Sequence, residues 1–168
     1  MLKKLIELEA QVRGIVDRSG EYISGLVLRF LLAYEFWTSG LEKYSGENWF
    51  QELIDDGKFP FPFSVIPSDI SWFISTWAEL IGAICLMIGI ATRAWSIVLI
   101  ILTLVAAWAV HIPHEWMGFM DFWMGYSISD HGYGNFKLPL IYLIMFIPLL
   151  LQGPGRVSLD HWIKRRFA

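Results

Sequence analysis

ISWFISTWAELIGAICLMIGIATRAW, residues 70–95, is an apolar run long enough to cross a bilayer, which takes about 20 such residues. One carboxylate, Glu79, interrupts it. An unpaired charge at mid-membrane depth costs about 2.5–3.5 kcal/mol or more, so Glu79 must face protein or water and have a partner. At helical spacing its face carries Trp72, Ser75, Gly82, Leu86, Gly89 and Arg93. That is a small and polar stripe on an apolar cylinder, the kind of face that packs against other helices.

The rest of the chain repeats this pattern. Of 168 residues 55% are hydrophobic and only 17% charged, with a mean hydropathy of +0.49. The apolar residues come in long blocks and the charges lie between them, so the expected class is all-α: a polytopic membrane four-helix bundle. A net charge of -3 gives no handle for nucleic acid. Cys85 is the sole cysteine, so thiol–disulfide exchange within the chain is excluded. The charged start, MLKKLIELEAQVRGIVDRSGEY, does not read as a cleavable signal peptide.

Residues 1–20 read as an amphipathic helix ended by Ser19-Gly20, and 21–168 as the transmembrane domain. Spans are expected at about 22–40, 68–92, 94–112 and 137–152, the last kinked by Pro148. Between the first two, residues 49–54 suit a short interfacial helix, and Phe59-Pro60-Phe61-Pro62-Phe63 an extended aromatic strip. Pro67-Ser68-Asp69 supplies capping chemistry for the second span. With four spans, nine Lys and Arg fall on the side of the termini and three on the other. The positive-inside rule then places both termini in the cytoplasm of a cell whose inner (plasma) membrane holds the chain.

The buried charges need partners. Arg29 and Glu35 lie six residues apart on the first span and point about 120° away from each other, so each looks to another helix. Counted in helical rise, Arg29 and Glu79 come to nearly the same depth, and the expected ion pair is Arg29–Glu79. Glu35 lies nearer the outer face, level with His111. Glu35, His111, His114 and Lys137 are expected to converge on one outer pocket, together with Asp130 of the Gly-rich loop 130–135. Phe59, Phe63 and the segment 116–124 would roof it. Such a pocket suits a quinone head, a proton relay or a metal. His111, His114 and His131, with Met117 and Met120 nearby, make a ligand set for soft copper. The order His111-x-x-His114-Glu115 is not that of the HExxH metalloproteases.

Several stretches are recognisable as a set: LRFLLAYEFWTSGLEKYSGENWF, FPFPF before PSDISWFISTWAELIG, GIATR, GYSISDHGYGNFKLPLIYL and GPGRVSLD. Together they resemble the DoxX family of small four-helix membrane proteins, over roughly residues 26–162. The likeness is greatest to the branch found beside copper-binding (bufferin-type) ribosomal peptides and their maturation enzymes. The resemblance implies a bundle with both ends inside. It also implies a role as a quinone-linked redox subunit with a partner, or as an accessory factor in copper-peptide maturation. Relatives active in thiol redox chemistry imply paired cysteines, which this chain lacks. A small non-enzymatic transporter or a structural scaffold would bind neither quinone nor copper. The partners implied are membrane lipids, a copper-binding peptide or a redox subunit.

Overall fold

The structure is a computed structural model and describes residues 2–112 and 135–167. The helices among them are α1 (Leu2–Ser45), α2 (Phe50–Asp55), α3 (Ser68–Ile88), α4 (Thr92–Ala106), α5 (Lys137–Leu151) and α6 (Leu159–Phe167). No strand occurs among the described residues. Helix α4 runs on into a wider, π-helical turn, Ala107–His111. Helices α1, α3, α4 and α5 pack as a closed ring of neighbours: α1 on α3, α3 on α4, α4 on α5 and α5 on α1.

The inner stripe of α1 is Gly25, Arg29, Leu32, Ala33, Phe36 and Gly40, a spacing of three and four that keeps one face of a helix inward. Against it lie Ala83 and Leu86 of α3, Leu99 of α4, and Phe146 and Leu149 of α5. The glycines set the approach of the backbones. A Cβ at Gly40 would stand 2.8 Å from Leu80 Cγ, and one at Gly82 3.0 Å from Leu99 Cδ2. Small residues at helix contacts are how bundles pack without a hydrophobic driving force between helices.

The outer face is apolar. Phe73, Ile74, Trp77 and Ile81 of α3 and Leu104 of α4 point away from the bundle, as does Trp108 of the π-helical turn. Two helices have the length and composition to cross a membrane, Ser68–Ile88 and Thr92–His111, and only 22% of the latter's apolar window is buried. In water a helix this apolar would be covered on most of its surface. Lys137–Leu151 is a shorter apolar helix.

Three local expectations change. Helix α1 does not end at Ser19-Gly20 but runs unbroken to Ser45. An interior glycine costs only about 1 kcal/mol relative to alanine, too little to end a helix otherwise made of good formers. Arg156, from the linker after α5, also holds Glu21 at 2.7 Å just beyond that glycine. The Phe-Pro strip is folded rather than extended: a turn and a 3-10 turn, Phe63–Val65, bury Phe59 and leave Phe61 exposed. Pro67 occupies the cap position of α3, and no side chain caps its first amides. Ser68 instead donates to Gln51 (2.7 Å) and Asp69 accepts from Asn48 (2.8 Å), which ties α3 to the segment around α2.

Helix α3 ends on Gly89 at φ +73°, with its amide on the Cys85 and Leu86 carbonyls. A side chain there would meet the Ser158 backbone, its Cα 3.0 Å away. Gly57 has a similar φ of +67° and open space around it. Both Gly89→Ala and Gly57→Ala should lose about 1–2 kcal/mol from left-handed backbone alone. Only Gly89→Ala should lose clearly more, read as the larger fall in melting temperature of the detergent-solubilised protein.

Candidate functional site

The end of the bundle nearest α2 holds a cavity of about 430 Å³. Its floor comes from the bundle helices, and its wall from the segment that joins α1 to α3. Phe50 and Phe59 stack at 5.1 Å between ring centres, Phe50 and Trp72 at 4.9 Å, and Trp49 and Trp72 at 5.7 Å. The last two are edge-on arrangements, which aromatic quadrupoles favour. Ala109, on the π-helical turn, is buried against this cluster. A π-turn inside a helix re-aims the side chains that follow, and such turns recur at functional sites. Here the turn carries His111 to the cavity.

Several polar groups of the cavity are arranged in pairs, and Glu42, Glu47, Ser71, Ser75 and Thr103 also line it. Lys43, in the last turn of α1, donates to both oxygens of Glu79 (3.0 and 2.9 Å) and to Ser39 Oγ (2.8 Å). All three ammonium hydrogens are thereby satisfied. The side chains are 15% and 10% exposed, so the pair is nearly buried. Tyr142 of α5 donates its hydroxyl to Glu35 at 2.6 Å. His111 Nδ1 is hydrogen-bonded to Asn135 Oδ1, joining the π-helical turn after α4 to a residue two positions before α5.

The expected Arg29–Glu79 pair is therefore corrected: the partner of Glu79 is Lys43. Arg29 lies toward the opposite end, fully buried, with its guanidinium on backbone carbonyls. It donates to Gly25 and Leu86 at 3.3 Å each, and to Val157 in the linker before α6. A cation on the last carbonyls of α3 also complements the negative end of that helix. Asp160 supplies a counter-charge, and its two oxygens accept from the amides of Ala91 (2.8 Å) and Thr92 (2.9 Å). The segments around Gly89 and Gly155 thus form one knot around Arg29.

Of the other residues singled out in the sequence, Glu35 and His111 line the same cavity. Lys137 is buried in the first turn of α5, and its neighbours Leu138 and Pro139 reach the lining. His114, Asp130, His131 and the segment 116–124 lie outside the described residues. Among the described residues no group of three His, Cys, Asp or Glu side chains could hold a metal ion. Tyr142 was missed as a site residue, although a lone hydroxyl inside LPLIYLIMF is a visible signal.

The DoxX family pattern matches residues 24–112, more than half of the chain. A curated protein of Haemophilus influenzae (strain ATCC 51907 / DSM 11121 / KW20 / Rd), described as an uncharacterized protein, is 44% identical over 157 residues. The alignment spans 94% of this chain and 91% of that one. No solved structure matches. The matched segment runs from the inner stripe of α1 to the π-turn, and so carries Arg29, Glu35, Lys43, Glu79 and His111; the chain belongs to DoxX, a family of membrane proteins.

Proposed function

We propose that this chain is a multi-pass protein of the inner (plasma) membrane that holds a quinone head group in the aromatic cavity and works with a redox partner subunit. With four crossings, the nine-to-three distribution of Lys and Arg supports cytoplasmic termini. The observation that carries the ligand is the cavity itself. It is walled by Trp49, Phe50, Phe59 and Trp72, its lining is mainly apolar, and its polar groups include Glu35–Tyr142, Lys43–Glu79 and His111, with Glu42 and Glu47 toward the end of α1. Ligand sites for lipophilic rings are built this way, apolar with a few placed polar groups.

A quinone ring stacks on aromatic faces, and its carbonyl oxygens accept hydrogen bonds. Lys43 and Tyr142 give their hydrogens to Glu79, Ser39 and Glu35, so a quinone carbonyl would take its hydrogen bond by displacing Glu35 from the Tyr142 hydroxyl, with His111 on the same lining. Electrons would come from the partner subunit. The copper-peptide role rests on the sequence resemblance and on His111 with His114, His131, Met117 and Met120, of which His111 alone is among the described residues. The quinone reading is therefore the one with a formed site behind it.

The test is titration of the purified protein with a short-chain quinone, followed by tryptophan fluorescence. Saturable quenching is expected, since Trp49 and Trp72 stand in the wall. Tyr142→Phe should weaken binding roughly fivefold, the worth of about one hydrogen bond. Absence of saturable quenching would leave the transporter and scaffold roles standing and remove this one. Quenching by copper(I), with none by quinone, would transfer the site to the copper-peptide role.

A further inference from the structure

At the other end of the bundle lies a second concavity, an open groove of about 980 Å³. One side is the α1 stripe Asp17, Gly20, Glu21, Ser24, Gly25 and Leu28. Opposite stand the start of α4, the end of α5, and α6. Three cations reach it, Arg93, Arg156 and Lys164, and three carboxylates, Asp17, Glu21 and Asp160.

These charges do not simply cancel. Glu21 is held by Arg156 at 2.7 Å, and Arg156 also lies over the Tyr22 ring at 5.4 Å. Asp160 gives both oxygens to the first amides of α4. Arg93 donates to the Leu151 carbonyl at 3.1 Å, with its guanidinium beside Gly153. Among the described residues neither Arg93 nor Lys164 has an ion pair, which leaves two cations facing Asp17. Arg165 and Arg166 follow Lys164 within the last turn of α6.

The groove is also greasy. Leu28, Ala94, Pro148, Leu149 and Ile163 form its apolar lining. Beside it Leu151, Trp162 and Phe167 are exposed at 73%, 60% and 81%. Helix α6 thus has apolar and basic residues side by side at the edge of an apolar bundle, the pattern of a helix lying in a membrane interface. A soluble anion would need the cations alone. An occupant with an anionic head and hydrocarbon tails uses both halves of the groove.

We infer that this groove binds the head group of an anionic phospholipid, with its phosphate between Arg93 and Lys164 and an acyl chain along Leu28, Pro148 and Ile163. Basic pockets between membrane helices recognise anionic lipids by this combination. The inference does not depend on what fills the aromatic cavity.

The test uses the full chain purified in detergent and equilibrated with equimolar phosphatidylglycerol and phosphatidylcholine, with retained lipid measured by native mass spectrometry. Preferential retention of phosphatidylglycerol is expected. Lys164→Gln should reduce that preference about fivefold, the worth of one cation near a lipid surface, and adding Arg93→Gln should reduce it further. Lys164 has no described hydrogen bond, so its single variant tests the site even if the double variant folds poorly. Lys3→Gln with Lys4→Gln, far from the groove on α1, should leave the preference unchanged. Equal retention of the two lipids would overturn the inference. So would an unchanged preference in monodisperse Lys164→Gln, or an equal loss in the Lys3/Lys4 variant. Displacement of the lipid by inorganic phosphate, beyond that by sodium chloride of equal ionic strength, would assign the site to a free anion instead.

Discussion

Lys43→Met should cost about 3 kcal/mol of stability, and Glu79→Leu a similar amount, while the double replacement should recover most of the loss. The asymmetry comes from solvation. Each single change leaves one charge nearly out of water with its partner gone, and the double change leaves none. The low end of the usual 3–5 kcal/mol applies, because the pair keeps 15% and 10% exposure and borders the cavity. The measurement is a double-mutant cycle on unfolding in detergent. Strictly additive losses would show that Lys43 and Glu79 do not act as a pair. The same cycle with Arg29 and Glu79 should show no coupling beyond a few tenths of a kcal/mol, as expected for residues without shared partners.

Arg29→Leu should be the other severe change, at about 3 kcal/mol. Its guanidinium supplies the hydrogen bond to Val157 and one to Leu86, and bonds to a charged group are worth about 1.5–3 kcal/mol. The gap left by a fully buried side chain adds to that. The expected signature is local as well as global. With the knot untied, the linker between α5 and α6 should open, so limited proteolysis within residues 152–158 should run faster than in the parent protein. An unchanged melting temperature together with unchanged cleavage would mean that the linker is held by Asp160 and Arg156 alone.

These two predictions mark where sequence reasoning succeeded and where it did not. The apolar blocks and the inner stripe of α1 were legible because a helix repeats every 3.6 residues and a bundle must turn one face inward. The start of α5 at Lys137, the short helix α2 and the shared cavity position of Glu35 and His111 depend on similar local or periodic information. The hydroxyl that holds Glu35 does not. Tyr142 comes from the last bundle helix, 107 residues away in the chain.

What the sequence determined by itself is the helical class, the apolar outer surface and the need of Glu79 for a cation. Which cation answers that need was decided only by tertiary structure, because partner choice depends on how far one helix slides along another. Arg29 and Glu79 come level only if the first span ends near Gly40, at the same height as the start of the second near Ser68. In fact α1 continues to Ser45, and Gly40 packs against Leu80, so Glu79 stands beside the last turn of α1 rather than beside Arg29. The first turns of α3 lie alongside α2, held by Ser68–Gln51 and Asp69–Asn48. Those contacts, with the missing Cβ of Gly40, set the register. Register in turn put Lys43 against Glu79 and left Arg29 to the carbonyls of Leu86 and Val157. Periodicity reports which face a residue is on; only packing fixes its height.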